Sequence, residues 1–341
     1  MSISYLNPGR HGSMALLSAA ALLHASTAVA AEAASTPSVA VQTVDTLEKL
    51  AGGPHAGFRS NHAKGVLATG QFVAAPEAKT LSKATHLQGA VVPVLVRYSN
   101  ATGVPTLPDA NPNASPHGIA IRFKLPNGVS TDIVGISYDG FPVATPEDFL
   151  GLLNAIAASG SEAKKPTAIE TFLGSHPAAK AFATAAKPAP QSYATLPFFG
   201  VNAFKFTNAS GAAVHGRYRI VPLAGDHRLS EAEAAKAAPN YLADELAARL
   251  AKGPIAYSIR VQLARDGDDV NDPTKAWDSQ HREVTLGTLT LDVPLPDGAK
   301  AEKNLYFNPL LLVDGIAPSA DPILLARPGA YAVSVGRRVG K

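Results

Sequence analysis

Hydrophobic and polar residues alternate along most of the middle of the chain. From Ile119 to Leu125 every second side chain is apolar, while Arg122 and Lys124 occupy the opposite face, and the run ends at the turn sequence PNG of residues 126–128. The same alternation recurs in six further segments, residues 91–99, 132–137, 203–208, 213–221, 255–264 and 283–293. A succession of roughly seven or eight half-buried strands predicts an antiparallel sheet or barrel.

Helical patterns are fewer. Residues 146–158 follow Thr145, a suitable N-cap, and begin with a proline and two acidic residues, which the first turn of a helix favours. Residues 230–238 and 241–251 predict two more helices, and residues 161–186 have a looser helical pattern. The chain is therefore predicted to be an α+β protein with a large antiparallel sheet.

The N-terminus has the three parts of a secretory signal peptide. Arg10 gives the first segment its positive charge, residues 14–23 are almost wholly apolar, and the sequence AVA at residues 28–30 supplies a small-residue cleavage site. An apolar stretch of this length is too short for a transmembrane anchor, which needs about 18 residues or more. We therefore predict that residues 1–30 are a signal peptide, that the protein is exported to the periplasm, and that it has no stable membrane anchor.

Two parts follow the signal peptide. Residues 31–44 are rich in alanine, serine, threonine and proline, and this composition predicts a flexible N-terminal arm. No long linker and no internal repeat interrupts residues 45–341, which are predicted to form the folded domain.

Once residues 1–30 are removed, the mature chain contains no sulfur. The 341-residue sequence has no cysteine, and its two methionines, Met1 and Met14, lie within the signal peptide. Disulfides, thiolate nucleophiles, iron–sulfur clusters and sulfur metal ligands are therefore excluded. The composition is that of a globular protein, 17% charged and 46% hydrophobic, and the formal net charge of +3 gives no indication of nucleic-acid binding.

Three short clusters combine residue types that carry chemistry. They are Arg59 and His62 in the sequence RSNHAKG, Arg97 and Ser99 at the end of a predicted strand, and a C-terminal group with Arg327, Tyr331 and Arg338. Each cluster alone has an ordinary structural explanation, because exposed arginines are usually solvated and a tyrosine near a C-terminus usually packs on the core. The occurrence of all three clusters, in this order, in one chain is the reason to consider them together.

Together these clusters resemble the haem catalase superfamily, and within it the small catalase-related peroxidases. The matching text includes FRSNHAKGVLATGQF, VPVLVRYSN, HGIAIRFKLPNGVSTDIVG, VNAFKFTNASGAAVHGRYRIVP and NPLLLVDGIAPSADPILLARPGAYAVSVGRR, and the resemblance covers residues 47–338. It implies that residues 45–341 are a catalase-like haem peroxidase domain, a closed antiparallel β-barrel with surrounding α-helices. It also implies haem b (iron protoporphyrin IX) as the cofactor.

The resemblance further implies a role for each site residue. His62 matches the distal histidine that takes a proton from peroxide, and Ser99 matches the serine that orients this histidine. Tyr331 matches the proximal tyrosine that ligates iron as a phenolate, and Arg327 matches the arginine that keeps it deprotonated. Phe149 matches the phenylalanine that stacks on the distal haem face, with an ordinary core position as the alternative. The arginines that pair with the haem propionates are matched by Arg59, Arg97 and Arg338.

The sequence departs from full-length catalases at their distal asparagine. In the run DIVGIS this position falls on Ile136, or on Ser137 if the alignment shifts by one residue, and neither side chain is an amide. The histidine four residues after the proximal tyrosine is replaced by Val335. These losses favour a peroxidase that oxidises a reductant over an enzyme that dismutates peroxide.

We therefore expect an exported haem-dependent peroxidase that reduces hydrogen peroxide or small organic peroxides and has weak or no catalase activity. Its partners would be peroxide and a small-molecule electron donor, without nucleic acid, and a homo-oligomer stays open. The alternatives are a peroxide isomerase acting on lipid hydroperoxides, a non-catalytic haem-binding or storage protein, and a haem-free binding module. Loss of turnover without His62 would distinguish an enzyme from a storage protein.

Overall fold

The computed structural model describes residues 37–295 and 298–340. The predicted signal peptide, residues 1–30, lies outside the described residues, as do residues 31–36. Within the described part of the chain, no helix is both long enough and apolar enough to cross a membrane.

The strands of the described residues form one antiparallel sheet. They are β1 (Gly65–Ala74), β2 (Val91–Ser99), β3 (Gly118–Lys124), β4 (Ser130–Ile136), β5 (Phe198–Phe199), β6 (Phe204–Thr207), β7 (Ala213–Pro222), β8 (Ile255–Leu263), β9 (Glu283–Pro294) and β10 (Ile316–Pro318). Neighbours follow the order β7-β5-β4-β3-β2-β1-β9-β8, and β8 pairs again with β7, so these eight strands close into a barrel. Strands β6 and β10 extend the sheet from β7 outside this ring. The predicted α+β fold with a closed antiparallel barrel is confirmed.

Side chains alternate between the barrel interior and its outer surface, as a pleated strand requires. On β2, Val96 and Tyr98 are fully buried in the interior, where the Tyr98 hydroxyl donates a hydrogen bond to the Tyr257 hydroxyl oxygen of β8 (2.9 Å). The neighbouring residues Arg97 and Ser99 therefore face the outer surface. Apolar and aromatic side chains from all eight barrel strands fill the interior, which is the main hydrophobic core.

Helices and short turns surround the barrel. The α-helices of the described residues are α1 (Val39–Leu50), α2 (Ala78–Leu81), α3 (Pro146–Ala157), α4 (Ala168–Ser175), α5 (Pro177–Thr184), α6 (Glu231–Ala234), α7 (Tyr241–Leu250), α8 (Gly298–Lys303) and α9 (Pro322–Val339). Single 3-10 turns lie at Thr85–Leu87, Pro112–Ala114, Pro126–Gly128 and Tyr193–Thr195. Helix α1 packs against α3 and α9, and these three helices carry most of the helical contribution to the site.

Helix α9 carries three of the predicted site residues. The carboxylate of Asp321 caps its first turn by accepting two backbone hydrogen bonds, and Pro322 occupies the first helical position. Pro328 lies inside the helix and leaves one carbonyl of the preceding turn without its helical partner. Although Pro328 and Gly329 are both unfavourable inside a helix, α9 continues through them to Val339.

The predicted flexible arm, residues 31–44, differs from the structure in its C-terminal part. Residues 39–44 form the first half of α1, which begins where the Ser38 hydroxyl accepts a hydrogen bond from the Val41 backbone N–H. Thr43 and Val44 are buried against the rest of the fold. Tertiary packing on α3 and α9 stabilises this helix, whose local composition alone is a weak signal.

The helical segments predicted at residues 161–186 and 230–238 are shorter in the structure. The first becomes α4, which begins at a capping box between Thr167 and Glu170, and α5, which begins at Pro177. The second is reduced to α6, a single turn. The predicted helix of residues 146–158 is present as α3, with the Thr145 hydroxyl as its N-cap.

Candidate active site

A cavity of about 320 Å³ lies between the outer surface of the barrel and helices α1, α3 and α9. Its walls come from strands β2 to β5, from these helices, and from the segments 59–62, 201–202 and 305–307. All of the predicted site residues line this cavity: Arg59, His62, Arg97, Ser99, Phe149, Arg327, Tyr331 and Arg338. The fold thus brings the beginning, middle and end of the described chain together at one place.

His62 lies in the loop between α1 and β1, with a positive backbone φ of 54°. Its backbone N–H donates to Asn61 Oδ1 (3.0 Å), and its ring Nδ1 shares a hydrogen bond with Ser99 Oγ (3.0 Å). Burial, assisted by guanidinium groups of which Arg97 has the largest influence, lowers the pKa of His62 to about 4. The imidazole is therefore neutral at neutral pH.

The His62 imidazole has room beside β3 because residue 118 is a glycine. The strand register pairs Gly118 with Ser99 of β2 and with Ile136 of β4, so these positions form a row on the outer face of the barrel. A Cβ atom at Gly118 would lie 2.7 Å from Ser99 Oγ and 3.0 Å from His62 Nδ1. Sequence reasoning missed Gly118, whose only signal is a glycine at the start of an otherwise alternating strand.

A second glycine makes room for the guanidinium of Arg97. Gly65 of β1 pairs with Ser99 of β2, and a Cβ atom at Gly65 would lie 2.5 Å from Arg97 Nη2. The same Nη2 donates a hydrogen bond to the backbone carbonyl of His62 (2.9 Å). The Arg97 side chain therefore lies across β1 and contacts the loop that carries His62.

Tyr331 and Arg327 lie one turn apart on α9 and are directly hydrogen-bonded. Arg327 donates to the Tyr331 phenol oxygen from Nε (3.0 Å) and from Nη2 (2.8 Å). Its third nitrogen, Nη1, donates to Asn202 Oδ1 (2.8 Å), and Asn202 Nδ2 in turn donates to the buried carboxylate of Asp321 (2.6 Å). Sequence reasoning missed Asn202, because a single asparagine in a loop 125 residues from Arg327 has no local signal.

The remaining three arginines form one cluster at the cavity wall. Arg59 and Arg338 both donate to the backbone carbonyl of Leu305, from Nη2 in each case (2.8 and 2.9 Å). Arg59 and Arg97 both contact the carboxylate of Glu302 on α8, at 3.3 and 2.9 Å. Burial, followed by repulsion from the Arg97 and Arg338 guanidinium groups, lowers the pKa of Arg59 to about 9.

Apolar side chains complete the cavity. Phe149 of α3 packs on Phe141, with ring centroids 5.5 Å apart. Of the two positions considered for the missing amide, Ile136 lines the cavity, whereas Ser137 Oγ accepts a hydrogen bond from the backbone N–H of His117 (2.9 Å). Val335 lines the cavity as well. The aliphatic side chain of Ile136 therefore lies in the same row as Ser99 and Gly118, beside His62.

The fold and cavity together define a class of protein, a closed eight-stranded antiparallel barrel with a cavity between its outer wall and helices. The sequence profile of one family, catalase, matches residues 24–341. A catalase-related peroxidase of Mycolicibacterium paratuberculosis is 38% identical over 302 residues, which cover 88% of this chain and 94% of the relative. A catalase-related peroxidase of Synechococcus elongatus is 37% identical over 289 residues, covering 84% and 85%. The chain belongs to the catalase family, whose members typically bind haem.

Solved catalase structures share this fold. A fungal catalase aligns with a TM-score of 0.74 at 23% identity, and the alignment covers 84% of this chain and 60% of the fungal chain. A bacterial catalase aligns with a TM-score of 0.73 at 24% identity, covering 96% of this chain and 68% of the bacterial one. The chain therefore spans only part of the length of these catalases, although it spans most of the two catalase-related peroxidases.

Proposed function

We propose that the protein is an exported haem peroxidase that reduces hydrogen peroxide or small organic peroxides with a small-molecule electron donor. The observation that carries this proposal is the common cavity of two hydrogen-bonded pairs, His62 with Ser99 and Tyr331 with Arg327. The first pair offers a proton acceptor and the second offers an oxygen ligand for a metal. The names of the two catalase-related peroxidases, similar over most of their length, support the same activity.

The residues of the cavity fit haem b. The phenol oxygen of Tyr331 is an oxygen ligand suited to ferric iron, and the adjacent Arg327 guanidinium donates two hydrogen bonds to it. Arg97 Nε is buried and has no hydrogen-bond partner among the described residues, so the arginine cluster has a donor available for an anionic group. Apolar side chains such as Val134 and Phe149 suit a flat hydrophobic ring.

Each group of residues would hold a different part of the cofactor. Tyr331 would ligate the iron as phenolate, with the Arg327 guanidinium donating to its oxygen and stabilising the negative charge. The arginines that would pair with the propionates are Arg59, Arg97 and Arg338. Phe149 would stack on the ring. The bound haem supplies an iron centre that takes up electrons and cleaves the O–O bond of a peroxide.

His62 would move the proton. If Nδ1 carries hydrogen and donates it to Ser99 Oγ, the ring leaves Nε2 as the proton acceptor. A pKa of about 4 keeps this nitrogen unprotonated at neutral pH, so that it can take the proton of the peroxide and return it to the leaving oxygen. Ser99 would hold the ring in that orientation. Reduction of ROOH to ROH and water consumes two protons and two electrons, and the organic donor supplies the electrons.

Ile136 supports a peroxidase with weak or no catalase activity. A second peroxide molecule, the reductant in dismutation, would have no amide to position it, because an aliphatic side chain donates no hydrogen bond. Electrons must then come from another reductant. The signal-peptide pattern of residues 1–30 supports export to the periplasm, where a small diffusible donor can reach the site.

The experiment that tests the proposal is an absorption spectrum of the protein purified from a periplasmic extract, followed by peroxide with and without a reducing dye. We expect a high-spin ferric haem spectrum, dye oxidation and little oxygen release. Tyr331→Phe should lose the haem spectrum, whereas Tyr306→Phe, another phenol at the cavity wall, should keep it. Peroxide consumption without a dye and without oxygen would indicate the isomerase. A folded chain that takes up no haem would refute the proposal.

A further inference from the structure

The arginine cluster at the cavity wall contains a carboxylate that no proposed role explains. Glu302 lies near the end of α8, and its Oε2 is 2.9 Å from Arg97 Nη2 and 3.3 Å from Arg59 Nη1. Arg59, Arg97 and Arg338 line the cavity, but Glu302 is not among the residues that line it. The carboxylate therefore contacts the guanidinium groups without lining the cavity itself.

Burial makes this carboxylate energetically demanding. The Glu302 side chain is 14% exposed, and its second oxygen, Oε1, is buried with no hydrogen-bond partner among the described residues. An acceptor in this position loses its hydration without full compensation. A structural hydrogen bond alone does not explain a buried carboxylate with one unpaired oxygen. The need to offset repulsion between neighbouring guanidinium groups does explain it.

The charges of the cluster indicate what Glu302 contributes. Three guanidinium groups carry a charge of +3, and Glu302 reduces the sum to +2. Arg59 and Arg97 are close enough to share one carboxylate oxygen, so without Glu302 two buried cations would face each other directly. The lowered pKa of Arg59 reflects this repulsion, since Arg97 and Arg338 both contribute to it after burial itself.

We propose that Glu302 is a positioning residue that serves as an internal counter-charge for the arginine cluster, holding Arg59 and Arg97 together before the cofactor carboxylates arrive. This inference rests on the proposed haem binding. A permanent counter-charge stabilises the haem-free chain, but it also repels the propionates of a bound haem. Glu302 should therefore stabilise the haem-free state and weaken the haem-bound state. A residue with an ordinary structural role would stabilise both.

The test measures the haem-free and the haem-loaded states of the exported protein. Glu302→Gln should lower the urea midpoint of the haem-free protein and slow haem loss from the haem-loaded protein to an excess of apomyoglobin. We expect the rate of loss to fall about tenfold, because a charge next to a bound ion mainly changes the dissociation rate. Glu302→Asp keeps the charge and should release haem at nearly the wild-type rate. Glu283→Gln is the matched control, since Glu283 pairs with Arg260 on the barrel.

Haem dimethyl ester separates charge from structure. Its esters carry no negative charge, so Glu302→Gln and wild type should release it at the same rate. Equal rates for haem itself, or a faster loss of both haems from the variant, would overturn the inference while leaving the proposed peroxidase intact. A wild-type chain that folds but retains no haem would overturn both.

Discussion

The guanidinium of Arg327 donates two hydrogen bonds to the phenol oxygen of Tyr331, from Nε at 3.0 Å and from Nη2 at 2.8 Å. The pair is one helical turn apart on α9, in spite of the proline between them. Asn202 binds the remaining Nη1 and is itself bound to Asp321, the residue that caps the same helix. One chain of hydrogen bonds therefore connects the start of α9, the loop that carries Asn202, and the phenol of Tyr331.

The first prediction concerns the charge of Arg327. Arg327→Gln removes the cation that donates two hydrogen bonds to the Tyr331 oxygen and would stabilise that oxygen as an anionic ligand. We expect the affinity for haem to fall about tenfold or more, because a hydrogen bond to a charged group contributes about 1.5–3 kcal/mol and about 1.4 kcal/mol is a factor of ten. The measurement is haem content per chain and the visible spectrum after gel filtration.

The control for Arg327→Gln is Arg228→Gln. Arg228 pairs with the carboxylate of Asp226 in a surface loop that does not line the cavity. Its substitution should leave haem content unchanged. Full haem content and an unchanged spectrum in Arg327→Gln would show that the phenolate needs no help from this arginine.

The second prediction concerns the space at Gly118. The added methyl group of Gly118→Ala would lie within 3.0 Å of both Ser99 Oγ and His62 Nδ1, and these side-chain atoms can move more easily than the strand. We expect the fold to survive and peroxidase turnover to fall on the order of 100-fold, the low end of what a positioned general base contributes. Steady-state dye oxidation measures this loss, and circular dichroism verifies the fold.

Gly174→Ala is the matched control for Gly118→Ala. Gly174 lies in α4, and a Cβ atom there has no neighbour within 4 Å. Alanine at this helical position should therefore maintain turnover and slightly raise stability. Turnover within twofold of wild type in Gly118→Ala would mean that the imidazole orientation does not depend on the space beside β3.

Much of the fold was predictable because alternation is a local property of a strand. The alternation around Ile121 identifies β3, and the cap at Thr145 identifies the start of α3. Closure of the barrel was expected only from the family resemblance, because the pairing of β7 with β8 is a long-range contact that periodicity does not encode. Helix α1 was missed for the same reason, since its stability comes from packing on α3 and α9.

The site also contains residues that the sequence indicates and residues that only the structure reveals. Tyr331 and Arg327 are four residues apart and would meet on a helix, but the sequence alone did not predict a helix there, because Pro328 and Gly329 are unfavourable inside one. Gly118 becomes informative only when the register places it between Ser99 and Ile136. Glu302 and Asn202 lie far along the chain from the arginines that they bind, and an isolated acid or amide in a helix end or loop has no distinctive pattern. Contacts of this kind, between residues far apart in the sequence, can be identified only from the three-dimensional structure.

The third prediction concerns the aliphatic position beside His62. Ile136→Asn introduces an amide into the row formed by Ser99 and Gly118, where it can donate a hydrogen bond to a second peroxide. We expect oxygen release to rise several-fold relative to dye oxidation, since one positioned hydrogen-bond donor contributes about 1 kcal/mol or more. An oxygen electrode and a dye assay on the same sample measure the ratio. Ile136→Leu should leave the ratio unchanged, and an unchanged ratio in Ile136→Asn would show that another group limits dismutation.

The last prediction concerns stability in acid. His86 is 2% exposed inside the barrel, its ring centroid 4.9 Å from that of Phe123, and burial lowers its pKa to about 4. The unfolded chain, with a histidine pKa near 6.5, binds this proton first as the pH falls, so the folded state loses stability between pH 6.5 and pH 4. From pH 7.5 to pH 5 this one residue should cost about 2 kcal/mol. Urea midpoints at the two pH values should therefore differ less in His86→Leu than in wild type, whereas the exposed His227→Leu should reproduce the wild-type difference. An equal difference in His86→Leu would mean that His86 is protonated in the folded state as readily as in the unfolded one.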